Sequence, residues 1–383
     1  MKKIVFTMLA GMMTLAMMAQ GGTFTVKGTF EGREDSVAFM LVDAQTGKTL
    51  VEKTFAVTGE MLEMSYDLKD AAMLYVVDKN NGYKGHMTAP AIPGETVEFY
   101  RNAGSTNTRL RGSQFYQDYN EAEACVEAPL MDLGNFIGEL RHKFASGVPE
   151  EQVNKEYEEK YPAYQQAYMN ALTGYVKAHP DQEASAALIA TIAETGSDSI
   201  IEDIEAVAAL LTDRVQNSSA AALYKALLES AKKERKEVER QNDLEGNMAP
   251  EFTLDDINGE PLALSSLRGK WVIIDFWGAW CKWCIKGMPD MKDYYAKYGD
   301  KLEILGVDCN DTPEKWKAAV ADNELPWLHV YNNKARDDEK NPLLLYAVRG
   351  FPTKVVIDPD GRVAKVIVGE DPSFYEYLDE VLK

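Results

Sequence analysis

The chain has 383 residues, enough for two or three domains at roughly 150 residues each. Apolar residues make up 45% and charged residues 27%, an ordinary globular composition that excludes disordered and fibrous classes. With 41 Lys and Arg against 61 Asp and Glu the formal charge is −20, which repels phosphate backbones and argues against nucleic acid or an anionic membrane as partner.

The first segment reads as an address. Met1-Lys2-Lys3 is followed by an uncharged run from Ile4 to Ala19, and small residues stand at Ala19, Gly21 and Gly22. That is the basic, apolar and cleavage pattern of a secretory signal peptide, predicted over 1–19. The run of 16 residues is short for a bilayer span, which needs about 20. No Cys lies near the cleavage zone to carry a lipid. The expectation is an exported, periplasmic protein, soluble once the leader is removed. With four Cys in all, a disulfide scaffold is excluded, and in an oxidising compartment each cysteine needs a reason.

Residues 23–112 read as β. Thr23-Phe24-Thr25-Val26, Val37 to Val42 and Leu74-Tyr75-Val76-Val77 are rich in β-branched and aromatic residues. Turn signals at Gly32, Gln45-Thr46-Gly47, Asn80-Asn81-Gly82 and Pro93-Gly94 separate them. Short strands at this spacing predict a small β-sandwich or barrel. Residues 113–241 change to a helical period. Val153, Tyr157, Tyr161, Tyr164, Tyr168, Leu172 and Tyr175 fall on one helix face, read as core packing rather than as a binding stripe, and Pro162 is a candidate kink. Further helices are expected over 183–193, 200–213 and 218–240, with Gln241 to Asn247 as a linker.

Residues 247–383 give a compact α/β pattern. Asn258-Gly259 between two short apolar runs signals a hairpin. Trp271 to Trp277 is a nearly continuous apolar run, as expected of a buried strand. A helix is predicted after the Cys pair, a strand over Leu302 to Val307, a helix over Pro313 to Asp322 and a strand over Leu328 to Tyr331. Thr353 to Ile357 and Val363 to Val368 form a hairpin around Asp358-Pro359-Asp360-Gly361, and a helix over Ser373 to Leu382 ends the pattern. The expected fold class is multi-domain α+β. A β-rich region and a helical segment precede a central mixed sheet with helices on both faces.

Chemistry concentrates at Asp275-Phe276-Trp277-Gly278-Ala279-Trp280-Cys281-Lys282-Trp283-Cys284. Two cysteines three apart at a helix start can close a small disulfide ring. The first then sits among unpaired N–H groups at the positive end of the helix dipole, which favours the attacking thiolate. Lys282 adds positive charge, and Cys284, one turn inside and less exposed, would resolve a mixed disulfide after losing its proton. Asp275, an acid in an apolar strand, is the candidate to take that proton. The same spacing also fits half a zinc site or a structural disulfide. Cys125, Cys309, His86, His142, His179 and His329 supply no second ligand pair, so no metal is expected. Haem attachment would need His at Ile285.

This run resembles the thioredoxin superfamily, with Trp-Cys-x-x-Cys and the upstream acid matching position by position. Pro289 matches the family's helix proline, and Gly350-Phe351-Pro352-Thr353 matches the loop that holds its cis-proline. Ala249-Pro250-Glu251-Phe252 and Leu267-Arg268-Gly269-Lys270 are similar to the exported TlpA/ResA-type branch, and Trp-Cys rather than Thr-x-x-Cys sets it apart from peroxiredoxins. The resemblance implies a thioredoxin-like α/β sandwich and a Cys281/Cys284 redox-active disulfide. It makes Cys281, Cys284, Asp275 and Pro352 catalytic, and Trp280, Lys282, Trp283 and Phe351 substrate-binding. Partners would be proteins bearing disulfides or thiols and a membrane electron donor, with no cofactor. The implied activity is disulfide exchange as a reductant, with an oxidase, an isomerase or a redox-gated adaptor as alternatives. Cys309, at a strand end, reads as a buried structural residue or a third thiol, and Cys125 as a core residue.

Overall fold

The computed structural model describes residues 21–30, 36–78, 87–101, 109–197, 199–335 and 337–383. The leader expected over 1–19, His86 and the turn signals at Gly32 and Asn80-Asn81-Gly82 lie outside the described residues. The chain divides into two units that part between Lys232 and Lys233.

In the first unit the strands are β1 (Gly22–Phe30), β2 (Ser36–Asp43), β3 (Thr49–Ala56), β4 (Leu62–Leu68), β5 (Ala72–Asp78), β6 (Met87–Ala91), β7 (Thr96–Arg101) and β8 (Arg109–Gly112). They form two four-stranded sheets, β4-β1-β7-β8 and β3-β2-β5-β6. Phe24, Val26 and Phe30 alternate inward along β1, as a sheet with one buried face requires. Six helices follow: α1 (Gln114–Ala145), α2 (Glu150–Ala178), α3 (Glu183–Ile189), α4 (Ile200–Ala208), α5 (Asp213–Gln216) and α6 (Ala221–Asn242), which runs across the division. The tyrosine stripe of α2 turns inward, with Val153, Tyr161, Tyr168, Leu172 and Tyr175 buried, and Pro162 lies inside the helix without ending it. Strand residues such as Phe24, Phe39 and Leu74 share one hydrophobic cluster with Tyr116, Tyr168 and Leu172. Cys125 departs from expectation. It is exposed, because the buried stripe of α1 runs through Tyr116, Tyr119, Ala122 and Val126 and leaves the neighbouring position facing out.

The second unit is built on one seven-stranded mixed sheet in the order β10-β9-β13-β12-β11-β14-β15. Its elements are β9 (Thr253–Asp256), β10 (Pro261–Ala263), β11 (Trp271–Trp277), α7 (Lys282–Tyr298), β12 (Leu302–Asp308), α8 (Pro313–Asp322), β13 (Leu328–Tyr331), α9 (Pro342–Leu345), β14 (Thr353–Ile357), β15 (Val363–Val368) and α10 (Ser373–Val381). The central strands β11, β12 and β13 are parallel, and β14 runs antiparallel to β11. Side chains leave each strand alternately. Ile273 and Trp277 therefore enter one core with residues of α7, α8 and α10, while Val272, Ile274 and Phe276 enter the other with Val307, Val355 and Tyr346. Helices lie on both faces as the α/β pattern implies, but unequally: among the described residues of this unit the second face carries short α9, the turn Leu264–Leu267 and the end of α6. The stretch read as a linker is tied into this unit. Gln241 is buried with its side-chain amide donating to the Ala347 carbonyl at 3.2 Å, and the Gly246 N–H donates to Val363 O at 2.7 Å. Among the described residues no helix is long and apolar enough to cross a membrane.

Candidate active site

β11 ends at Trp277, and three residues later the chain turns into α7. Cys281 is the N-cap of that helix, in extended backbone geometry, and its Sγ accepts the Cys284 N–H at 3.2 Å. The two cysteines form a disulfide with Cα atoms 5.3 Å apart. Cys281 thus stands where the first turn of a helix has N–H groups with no intrahelical acceptor, so negative charge on its sulfur is favoured there. The expected contrast in exposure between the two is small, 6% for Cys281 and 4% for Cys284, because both pack into the core with Trp277 and Met288.

What reaches solvent is the pair of tryptophans beside them, Trp280 at 50% and Trp283 at 60%. Lys286 Nζ lies 4.8 Å from the centre of the Trp283 ring. Trp280 is held in place on two sides. Its indole N–H donates to the Cys309 carbonyl at 3.0 Å, and its ring meets Phe351 edge-on at 5.2 Å. Gly278 makes room for this, since a Cβ there would strike the indole and come within 2.9 Å of Cys309 O. The loop is pinned again where the Ala279 N–H donates to Asp311 Oδ2 at 2.6 Å. The Phe351–Pro352 peptide is cis, and the Pro352 carbonyl accepts the Gly369 N–H at 2.7 Å. Lys282 is exposed at the first position of α7.

Beneath this surface, Asp275 lies between Ile273 and Trp277 on the β11 face that packs against the cysteines. It is buried and its Oδ1 has no hydrogen-bond partner. Burial raises its pKa to about 6, Lys354 opposes the rise and Glu370 adds to it. The sequence reading did not single out Lys354, which stands directly opposite Asp275 in the β11–β14 ladder. Its signal was available: a lysine inside the apolar run Thr353 to Ile357 is as anomalous as Asp275 in β11.

A second acid also escaped the sequence reading. Asp308, at the end of β12, is fully buried, and burial together with the nearby Asp311 pushes its pKa up to about 8. Cys309, next to it, is buried with its thiol donating to Val307 O at 3.4 Å. Burial, reinforced by the neighbouring carboxylates, holds that thiol protonated and unreactive. Among the described residues no group of His, Cys, Asp or Glu is placed to hold a metal ion.

Residues 246–366 match the AhpC/TSA family. A thiol-disulfide oxidoreductase ResA of Bacillus cereus is 37% identical over 126 residues, which cover 33% of this chain and 70% of that protein. ResA of Bacillus subtilis (strain 168) is 36% identical over 138 residues, 35% of this chain and 74% of that one. The thioredoxin domain of a thiol-disulfide oxidoreductase from Bacteroides vulgatus, 30% identical, is covered to 98% by 36% of this chain with a TM-score of 0.33.

Proposed function

The chain belongs to the thioredoxin superfamily, as a TlpA/ResA-like thiol:disulfide oxidoreductase, and from that premise we propose that it is exported and reduces disulfides in protein substrates through Cys281 and Cys284. The observation that carries this reading is the placement of Cys281 Sγ at the N-terminus of α7, one helical turn from Cys284, on the face of β11 that holds the buried Asp275.

The reaction is an exchange of sulfur–sulfur bonds. The Cys281 thiolate attacks a substrate disulfide, forming a mixed disulfide and expelling one substrate thiolate. Cys284 then gives its proton to the Asp275 carboxylate and attacks Cys281 Sγ, which closes the Cys281–Cys284 disulfide and expels the second substrate thiolate. The substrate gains two electrons and the protein loses them. A membrane-bound donor returns them. The half-exposed rings of Trp280 and Trp283 and the Phe351–Pro352 segment form the surface on which an extended substrate docks, with Lys282 at its edge. Export is supported by the leader-like first 19 residues.

The reduction potential of the couple tests the direction. The mature protein would be equilibrated in redox buffers and its thiols trapped. A value near that of thioredoxin, about −270 mV, agrees with a reductant; one near that of DsbA, about −120 mV, reverses the reading to an oxidant or isomerase.

A further inference from the structure

Lys354 is a lysine at 1% side-chain exposure, and its Nζ lies 2.5 Å from Glu370 Oε1 and 5.5 Å from the centre of the Phe374 ring. Glu370, at 17%, follows the left-handed Gly369 in the turn between β15 and α10. Its carboxylate fills the place where a side chain on Gly287 would begin, so that any Cβ at 287 would collide with it. Gly287 lies inside α7, three residues after Cys284, where glycine costs about 1 kcal/mol relative to alanine. Burying an ammonium costs several kcal/mol more before its partner repays part of it. Three separate segments therefore carry stability costs that converge beside Asp275. Gluing the β15–α10 turn to the sheet does not account for them, because a packed apolar pair serves that purpose as well or better. An apolar pair could not place a fixed positive charge opposite Asp275 with a negative charge restraining it.

We propose that Lys354 and Glu370 are positioning residues for disulfide exchange, acting through Asp275. Lys354 keeps the Asp275 carboxylate ionised and ready for the Cys284 proton. Glu370, seated over Gly287, draws Lys354 away enough that Asp275 does not become too weak a base. This rests on the proton-transfer role given to Asp275 above. The titratable groups that interact with Asp275 from the surrounding elements are Lys354 on β14, Glu370 after β15 and the Tyr375 phenol on α10, with the cysteines at the start of α7 on the same face and the Cys309 thiol after β12 packed on the other. Burial keeps the Cys309 thiol and the Tyr375 phenol protonated, which leaves the Lys354–Glu370 ion pair as the charged neighbours. The opposite effects of Lys354 and Glu370 on the Asp275 carboxyl agree with this arrangement.

The test is the pH dependence of the resolving step in the mature protein, in a Cys125→Ser background so that one exposed thiol does not interfere. Reduced protein is mixed with 5,5′-dithiobis(2-nitrobenzoate), and release of the second nitrothiobenzoate as Cys284 attacks the mixed disulfide is followed between about pH 5 and 9. Lys354→Met is expected to move the profile up by about one unit and Glu370→Gln to move it down, with Lys354→Arg restoring the native profile. Gly287→Ala keeps every charge but displaces the Glu370 carboxylate, so it should move the profile in the Glu370→Gln direction even if Lys354→Met does not fold. Shifts in the same direction, or profiles that coincide with the native one while only thermal stability changes, overturn the proposal. Asp275→Asn separates the two readings. If it leaves the native profile intact, the role of Asp275 itself fails; if it flattens the profile while Lys354→Met, Glu370→Gln and Gly287→Ala do not move it, only the present inference fails.

Discussion

Asp275 on β11 and Lys354 on β14 are directly paired across an antiparallel ladder, on the face of the sheet that packs against Cys281 and Cys284. An acid and a base are thus embedded in the interior of two buried strands whose other residues, Thr353 apart, are apolar. Each would be expelled from such a core on hydrophobic grounds alone, so the pair places two costly buried polar groups on the face that holds the cysteines.

That placement makes stability depend on pH in a calculable direction. The Asp275 carboxyl titrates at about 6 in the folded chain against 3.8 ordinarily. The folded state therefore binds this proton more tightly than the unfolded state, and stability from this group is lost as pH rises from about 4 to 6. At 1.36 kcal/mol per unit the loss is on the order of 3 kcal/mol above pH 6. Asp275→Asn in the oxidised protein should be more resistant to urea than the native chain at pH 7.5, and the difference should vanish below about pH 4. Equal midpoints at both pH values would mean that the carboxyl is hydrated rather than buried.

The two cysteines should separate by variant. Cys281→Ser leaves no sulfur at the helix N-terminus and should reduce insulin only at the background rate. Cys284→Ser keeps the attacking thiolate but not the resolving one, so it should accumulate mixed disulfides with substrate, visible on a non-reducing gel. Asp275→Asn should pass through the same intermediate with resolution slowed by about 10²-fold. Turnover by Cys281→Ser would sink the assignment of the nucleophile.

Thiol counting distinguishes the other pair. Cys125 is exposed on α1, and Cys309 is buried with its thiol held protonated. The oxidised native protein should therefore show one reactive thiol, lost in Cys125→Ser, and a second should react only after denaturation. Cys309→Ser should leave exchange rates within about twofold of native, since a thiolate is the attacking species and this one does not form. A native count of two would reopen a third-thiol role for Cys309.

Much of the second unit was legible because its signals are local. Trp271 to Trp277 is a run of apolar residues interrupted by one acid, and the strand has those bounds. The Asp358 to Gly361 turn, the Cys pair at a helix start and the final helix all follow from neighbours in sequence. The Phe351–Pro352 bond, read by likeness, is cis. What stayed hidden is non-local. Nothing near Glu370 in sequence says that it reaches Lys354, nor that Gly287 lies under its carboxylate. Asp308 follows an apolar strand as any strand-ending polar residue does, and only the fold buries it beside Asp311. The polarity of Gln241 suggested a linker because its partners, Ala347 and Arg349, are about a hundred residues away.

Gly278 gives the last prediction, because its role is spatial. The Trp280 indole folds back over it to reach the Cys309 carbonyl, and the same ring braces Phe351. In Gly278→Ala the new methyl meets both the indole and the backbone oxygen of Cys309, which cannot rotate away. Either the ring leaves or the loop shifts, at a cost of about 1–3 kcal/mol for overpacking. The variant should lose that much stability and change its tryptophan emission, and exchange with insulin should slow because Trp280 and Phe351 no longer present one surface. Trp280→Ala loses the ring without the backbone collision. It should slow insulin reduction comparably while keeping the native stability within about 1 kcal/mol, since a half-exposed ring contributes less than a fully buried one. If Gly278→Ala matches the native protein in both stability and emission, the indole is not held against Cys309 in solution, and the docking surface must be built from Trp283 and Phe351 instead.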